Sequence, residues 1–322
     1  MCGRFSLRLD PQEIRQELDE HNLVAHEWID QDQFIPRYNI APRSQAPVIR
    51  RSSPRNSAMS DKGSPERSTE GSGDQLTQTQ MKWGLVPHWS KYEDKSLNTM
   101  NARSENLISG GGMWNSLRGR KRCVVICQGY YEWLSQGKKK SPHFIKATGG
   151  SLLLLAGLYD SVELQDRDNA LWSFSIVTTA ASDEFSWLHD RQPVILSTKE
   201  DLDRWLDTSS QRWSEDLAQI VSRPYLKDFL LECYQVPNEV GKIGSESSSF
   251  ILPISVRKDG IEAMFSKQSQ GESAKNASSL KRKRSHKPKV SHKSTRISAI
   301  DSSDDDVVIL EHPPILAKKK KV

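Results

Sequence analysis

The sequence predicts an α+β fold made of many short strands with scattered helices, followed by a polar tail. Three observations carry this reading. Apolar, β-rich runs recur at Pro47-Val48-Ile49, Arg122 to Cys127, Leu152 to Leu158 and Trp172 to Thr179. Helix-start signals occur singly, at Asp10-Pro11 and Thr198 to Asp201, and do not alternate with the strands as βαβ units would. Beyond about Lys267 the chain becomes charged and Ser-rich and carries no aromatic residue. Such a composition cannot bury enough apolar surface to order itself.

The elements follow in order. Asp10 reads as an N-cap with Pro11 at the first helical position, and Ile14 and Leu18 share one face. Arg37-Tyr38-Asn39-Ile40-Ala41-Pro42 reads as extended or turn backbone, because the residue before a proline avoids the helical region. From about Ser52 to Gln80, Ser, Gly, Pro, Glu and Thr dominate. We expect a disordered insertion there, since strand-like sequence resumes with Met81-Lys82-Trp83-Gly84-Leu85-Val86-Pro87 and long insertions cost little closure entropy. Asn101 to Leu107 reads as a short helix or turn, and Ser182 to Leu188 as a helix ending near His189-Asp190-Arg191. Pro193 to Leu196 reads as strand. Thr198 would cap a last helix with Leu202, Trp205 and Leu206 on its apolar face. The expected division is a folded domain over residues 1–265 and a disordered tail over 266–322.

Composition narrows the function. Hydrophobic residues are 35% of 322, low for a wholly globular chain. The four cysteines, Cys2, Cys123, Cys127 and Cys233, form no CxxC pair, so neither a zinc site nor a disulfide framework is expected. No apolar run reaches transmembrane length and no signal peptide is visible, so no membrane contact is expected. A formal net charge of +5 matters only where it is concentrated. There is no phosphate loop, no nucleophile elbow and no dinucleotide fingerprint.

Four places could carry chemistry. Cys2 follows the initiator methionine, and a small second residue permits removal of Met1. Cys2 would then hold an α-amine and a thiol on adjacent carbons, with ordinary pKa values of roughly 8 and roughly 8.5. An aldehyde can form a Schiff base with that amine, and the thiol can close a five-membered thiazolidine ring intramolecularly. Taken alone, Cys2 is equally a small residue in second place. Glu132, between aromatics after an apolar strand, suits acid/base work if partly desolvated, or is a solvated strand-end carboxylate. His189 can move protons near neutral pH and Arg191 can clamp phosphate, or the histidine complements a helix dipole. Asn101 and Arg103 form the fourth place. Trp83, Trp89, Trp133 and Trp187 lie near basic residues, a combination that suits unpaired bases as well as core packing.

Read together, Met1-Cys2-Gly3-Arg4-Phe5, Arg37 to Pro42, Trp83 to Pro87, Asn101-Ala102-Arg103-Ser104-Glu105, Gly129-Tyr130-Tyr131-Glu132-Trp133 and His189-Asp190-Arg191-Gln192-Pro193 occur in this order. The set resembles the SRAP (SOS response-associated peptidase) family over roughly Cys2 to Val256, apart from the insertion. The resemblance implies antiparallel sheets in an open barrel-like core with flanking short helices. It also implies an abasic-site processing enzyme that forms a covalent crosslink to single-stranded DNA through Cys2 and removes its own Met1. By the same resemblance, Glu132 and His189 would be the acid/base pair and Asn101 would hold the Cys2 end. Arg4, Arg103 and Arg191 would meet DNA phosphates, with Asn39 and Trp83 on the DNA side. No metal or cofactor is implied, and a monomer is expected. An N-terminal-nucleophile protease and a noncovalent reader of modified bases are the competing readings.

The tail adds two partner expectations and a location. Lys281-Arg282-Lys283-Arg284, together with Lys318 to Lys321, suits a nuclear-import receptor and predicts the nucleus. Val307-Val308-Ile309-Leu310 follows Ser302, Ser303 and three aspartates and resembles a SUMO-interacting motif, which binds by adding a strand to a sheet edge.

Overall fold

A computed structural model of the chain describes residues 2–52, 75–226 and 228–256. The tail over 266–322, with Lys281–Arg284 and Val307–Leu310, lies outside them, as do residues 53–74 of the expected insertion. The described strands are β1 (Arg4–Leu7), β2 (Glu27–Ile29), β3 (Arg37–Ile40), β4 (Gln45–Arg51), β5 (Leu76–Trp83), β6 (Asn101–Arg103) and β7 (Arg122–Cys127). They continue with β8 (Gly129–Gln136), β9 (Lys139–Ala147), β10 (Leu153–Val162), β11 (Leu171–Ala180), β12 (Arg191–Pro193) and β13 (Leu231–Gln235). The helices are α1 (Pro11–Glu20), α2 (Ser104–Ser109), α3 (Lys199–Leu206) and α4 (Glu215–Ser222).

Five strands close into a barrel. β5, β4, β7, β10 and β11 pair antiparallel in turn, and a short parallel pairing, Ser173 with Lys82 and Phe174 with Trp83, joins β11 back to β5. Every residue of β7 is buried, so its sequence is a continuous apolar run after Arg122 rather than an alternation. A second, antiparallel sheet runs β13-β9-β8-β1-β3. The barrel-like core is therefore present, with mixed pairing: β2 joins β5 and β6 joins β11 in parallel.

β11 organises the region of interest. One edge carries β10 and then β12; the other carries β5 and then β6. Arg103 and Pro193 thus both stand in register with Thr178, and Gln192 with Thr179. Gly129 begins β8 because nothing larger fits. A Cβ there would lie 2.6 Å from the Ile145 carbonyl oxygen of β9. That close approach sets the register in which Glu132 stands directly opposite His143.

Local signals explain the helices. Asp10 caps α1 with a full capping box: its carboxylate accepts from Gln12 and Glu13, and its own N–H donates to Glu13 Oε2 at 2.7 Å. Thr198 caps α3 through the Asp201 N–H. Three expectations need correction. Leu76–Gln80, placed in the disordered insertion, belong to β5. Their polar side chains mimic a loop, but β4 and β2 pair both edges and bury Thr77 to Gln80. Ser182 to Leu188 is a series of hydrogen-bonded turns, not a helix. The Ala181 N–H donates to the Asp190 carbonyl at 2.9 Å, so the segment must leave β11 and return within nine residues. Asn101 to Arg103, read as helix or turn, is a strand that leads into α2.

Candidate active site around Cys2

Cys2 lies one residue ahead of β1, with Gly3 between, and is fully buried. β1 lies in the antiparallel sheet between β3 and β8, yet the Cys2 carbonyl accepts a hydrogen bond from Asn101 Nδ2 at 3.0 Å on β6 of the barrel system. The bond fixes the start of the chain where the two sheet systems meet. Asn101 Oδ1 is buried and has no hydrogen-bond partner among the described residues. It is therefore an acceptor held ready beside Cys2, at the desolvation cost such an atom carries. The Cys2 thiol donates weakly to the Arg4 carbonyl at 3.8 Å. Burial pushes its pKa up, and the negative charge of Glu132 pushes it further. Both effects favour the protonated thiol.

Glu132 lies on β8 with 5% of its surface exposed, and its Oε1 accepts the Trp133 N–H at 3.1 Å. The strand-end alternative, a solvated carboxylate, does not hold. Two groups that the sequence did not single out, Tyr130 and His143, stand beside it, and Gln192 reaches the first of them. Tyr130, two residues earlier on the same face, is buried, and its hydroxyl accepts from Gln192 Nε2 at 3.3 Å. That bond ties β8 to β12. Burial raises the phenol pKa. His143, the cross-strand partner of Glu132, donates Nδ1–H to the Ser141 carbonyl at 3.0 Å, which leaves Nε2 as the acceptor. Burial lowers its pKa and favours the neutral ring. Only the β8–β9 register could have revealed it.

His189 stands at the end of the 182–188 turns, three residues before Gln192. Its Nδ1 accepts the Arg191 N–H at 3.0 Å and lies 2.7 Å from Asp190 Oδ1. A neutral ring uses the first contact and a protonated ring the second, so the side chain has a partner in either state. Trp187, on the same turn and 53% exposed, meets the His143 ring edge-on at 5.4 Å.

The expected DNA contacts divide. Arg103 is exposed on β6. The Arg191 guanidinium is bound by both oxygens of Glu105 and donates to the Thr178 carbonyl at 2.7 Å. Arg4 and Asn39 are buried and serve the protein's own chain. Arg4 Nη1 donates to the Val240 carbonyl at 3.0 Å and to Asn39 Oδ1 at 3.2 Å. Asn39 Nδ2 faces the carbonyls of Val240, Lys242 and Ser245. Trp83 has no exposed face for a base. It is fully buried, stacks on Phe174 at 6.4 Å and donates Nε1–H to the Met100 carbonyl at 2.9 Å. Of the inventory, Trp89, 55% exposed, and Trp187 are the exposed tryptophans, and Trp133 is half-buried.

Residues 1–243 match the model of the SRAP family, SOS response associated peptidase. Over 298 residues the chain is 32% identical to abasic site processing protein YMR114C of Saccharomyces cerevisiae, covering 82% of this chain and 73% of that one. It is 31% identical over 232 residues to abasic site processing protein HMCES of Gallus gallus, covering 64% and 66%. It is 29% identical over 252 residues to abasic site processing protein YoqW of Bacillus subtilis, covering 78% and 99%. A crystal structure of a Bacteroides thetaiotaomicron protein shares the fold with a TM-score of 0.60, at 20% identity, over 78% of this chain and 99% of that one. The chain belongs to the SRAP family.

Proposed function

We propose that this protein processes abasic sites in single-stranded DNA by capturing the ring-opened sugar covalently on Cys2 after removal of Met1. The observation that carries the reading is the convergence on Cys2 of a hydrogen-bonded Asn101, with its open acceptor Oδ1, and of the Glu132 charge. The names of the yeast, chicken and Bacillus relatives support the substrate class.

The Cys2 amine adds to C1 of the open-chain aldehyde, and loss of one water leaves an imine. Glu132 or His189 gives the proton that the departing hydroxide needs. The Cys2 sulfur then adds to the imine carbon, its proton passing through a neighbouring base to the imine nitrogen, and a thiazolidine results. Reversal runs the same steps backwards, with the same groups exchanging acid and base roles. Asn101 Oδ1 is suited to accept a hydrogen bond from the amine or from a hydroxyl of the opened sugar. Removal of Met1 by the protein itself fits the peptidase name of the family, with Cys2 as the new N-terminus.

The protein is further proposed to act in the nucleus, delivered by an import receptor that binds Lys281–Arg284 and Lys318–Lys321, and to bind SUMO through Val307–Leu310. The test of the central reading is intact mass spectrometry after mixing with an abasic oligonucleotide. The expected adduct has the mass of protein plus DNA less one water, and is absent for Cys2→Ala and for protein that retains Met1. An undiminished adduct from Cys2→Ala would overturn the mechanism. Binding without any adduct would favour the noncovalent reader, and cleavage of unrelated peptides the protease.

A further inference from the structure

Glu105 has no part in the chemistry above, yet it makes the most complete ionic contact near the site. Both of its carboxylate oxygens meet the Arg191 fork, with Oε2 3.0 Å from Nη2, and this contact holds its pKa below the usual carboxylate range. The two partners are unequally fixed. The Arg191 side chain is 11% exposed, belongs to β12 and is anchored independently by the Thr178 carbonyl. The Glu105 side chain is 58% exposed and sits in the first turn of the short helix α2. If the pair opens, Glu105 moves and Arg191 stays.

A carboxylate and a phosphodiester present the same feature to a guanidinium, two acceptor oxygens in one plane. We propose that Glu105 occupies the phosphodiester seat of Arg191 in the free protein and is displaced by a backbone phosphate when a strand binds. This rests on the reading that single-stranded DNA is the ligand. Glu105 is then a positioning residue that acts through Arg191. It keeps the fork aimed across β11, where Arg103 stands in register with Thr178. It also makes each phosphate compete for the seat. A strand held by one backbone contact does not gain from the exchange, because it trades one charge-assisted pair for another. A strand already held at the lesion does, since the other contacts come without that exchange. The displaced carboxylate is mostly solvated already, so its release costs little.

The experiment uses the full chain and an oligonucleotide carrying a ring-closed abasic analogue that cannot form an aldehyde, so that binding is read without covalent capture. Glu105→Gln should tighten binding about 2- to 5-fold at low salt, the range that a partly exposed ion pair corresponds to. The slope of log K against log salt should stay as in the unaltered protein, because the same phosphate is neutralised in both complexes. Glu200→Gln, which removes an exposed carboxylate elsewhere, should not tighten binding. The gain must need the fork: Glu105→Gln in an Arg191→Gln or Arg191→Lys background should bind no tighter than that background alone. Thermal melting of each variant checks that it is folded. Weaker binding by folded Glu105→Gln, or a gain that persists without Arg191, would overturn the proposal. Failure of the unaltered protein to bind the strand would overturn the DNA reading itself and this one with it.

Discussion

Asn39→Ala separates a structural from a DNA-contacting role for the Arg4–Asn39 pair. Asn39 is 3% exposed. Its amide nitrogen lies 3.1 Å from the Val240 carbonyl, 3.2 Å from that of Lys242 and 3.0 Å from that of Ser245. Two N–H groups satisfy at most two of these well, and Oδ1 accepts a further bond from Arg4. Three bonds are therefore lost. At about 1 kcal/mol net for each, the cost is about 3 kcal/mol, and buried carbonyls left without a donor keep it from being smaller. In a domain of this size, 1 kcal/mol moves the melting temperature by about 2–4 °C, so Asn39→Ala should melt about 6–12 °C lower. The assay is calorimetry or circular dichroism, paired with DNA affinity measured well below the transition. There the folded variant should bind with the unaltered salt dependence. A melting temperature within about 1 °C of the parent, together with a shallower salt dependence, would refute the reasoning and return Asn39 to the DNA surface.

The remaining predictions concern the site. Glu132→Gln and His189→Ala should each slow adduct formation, reversal or both by roughly 10²–10⁴-fold; a folded double variant with unaltered rates of both steps would remove them from the mechanism. Glu132→Gln should also shift the Cys2 thiol titration to lower pH. The carboxylate charge disfavours the thiolate, and its removal relieves part of the upward shift. Thiolate ultraviolet absorbance, taken as the difference from a Cys2→Ser background, reads this, and an unmoved titration counts against the contact. Trp187→Ala should weaken binding of single strands about 5- to 100-fold through loss of base stacking. Trp83→Leu should lower the melting temperature and leave the affinity of the folded protein in place; the opposite pattern would put the stacking platform inside the core.

Apolar runs were legible in the sequence wherever a strand is buried on both faces, as at Arg122–Cys127 and Leu153–Leu158. Helices were legible where a cap announces them, as at Asp10 and Thr198. β5 was obscured because its Thr and Gln residues match the composition of a loop, and pairing with two neighbours is a non-local property. The 182–188 segment has helix-like spacing but is pinned at both ends. In the candidate site, Cys2, Asn101 and Glu132 could be read as chemistry-bearing residues. Tyr130, His143 and Gln192 could not, since register and a cross-sheet hydrogen bond place them, not spacing. Arg4 and Asn39 show the converse: a basic side chain on β1 and an amide on β3 read as ligand contacts until the 240–245 backbone is seen to occupy them.

The β4–β5 hairpin gives the chain an insertion port. Ser52 N–H and Oγ both donate to the Gln75 carbonyl, at 2.8 and 2.9 Å, and Ser52 Oγ lies 2.6 Å from Thr77 Oγ1. The two ends of the 53–74 segment are therefore clasped by contacts that do not depend on what lies between them. Lengthening a loop between fixed ends adds only a logarithmic entropy term, about 0.6 kcal/mol for each doubling. A folded reporter whose own termini lie close together could be spliced between Ser52 and Gln75 without loosening the barrel ring that β5 closes. Its emission would then report where the protein is while Cys2 stays untagged.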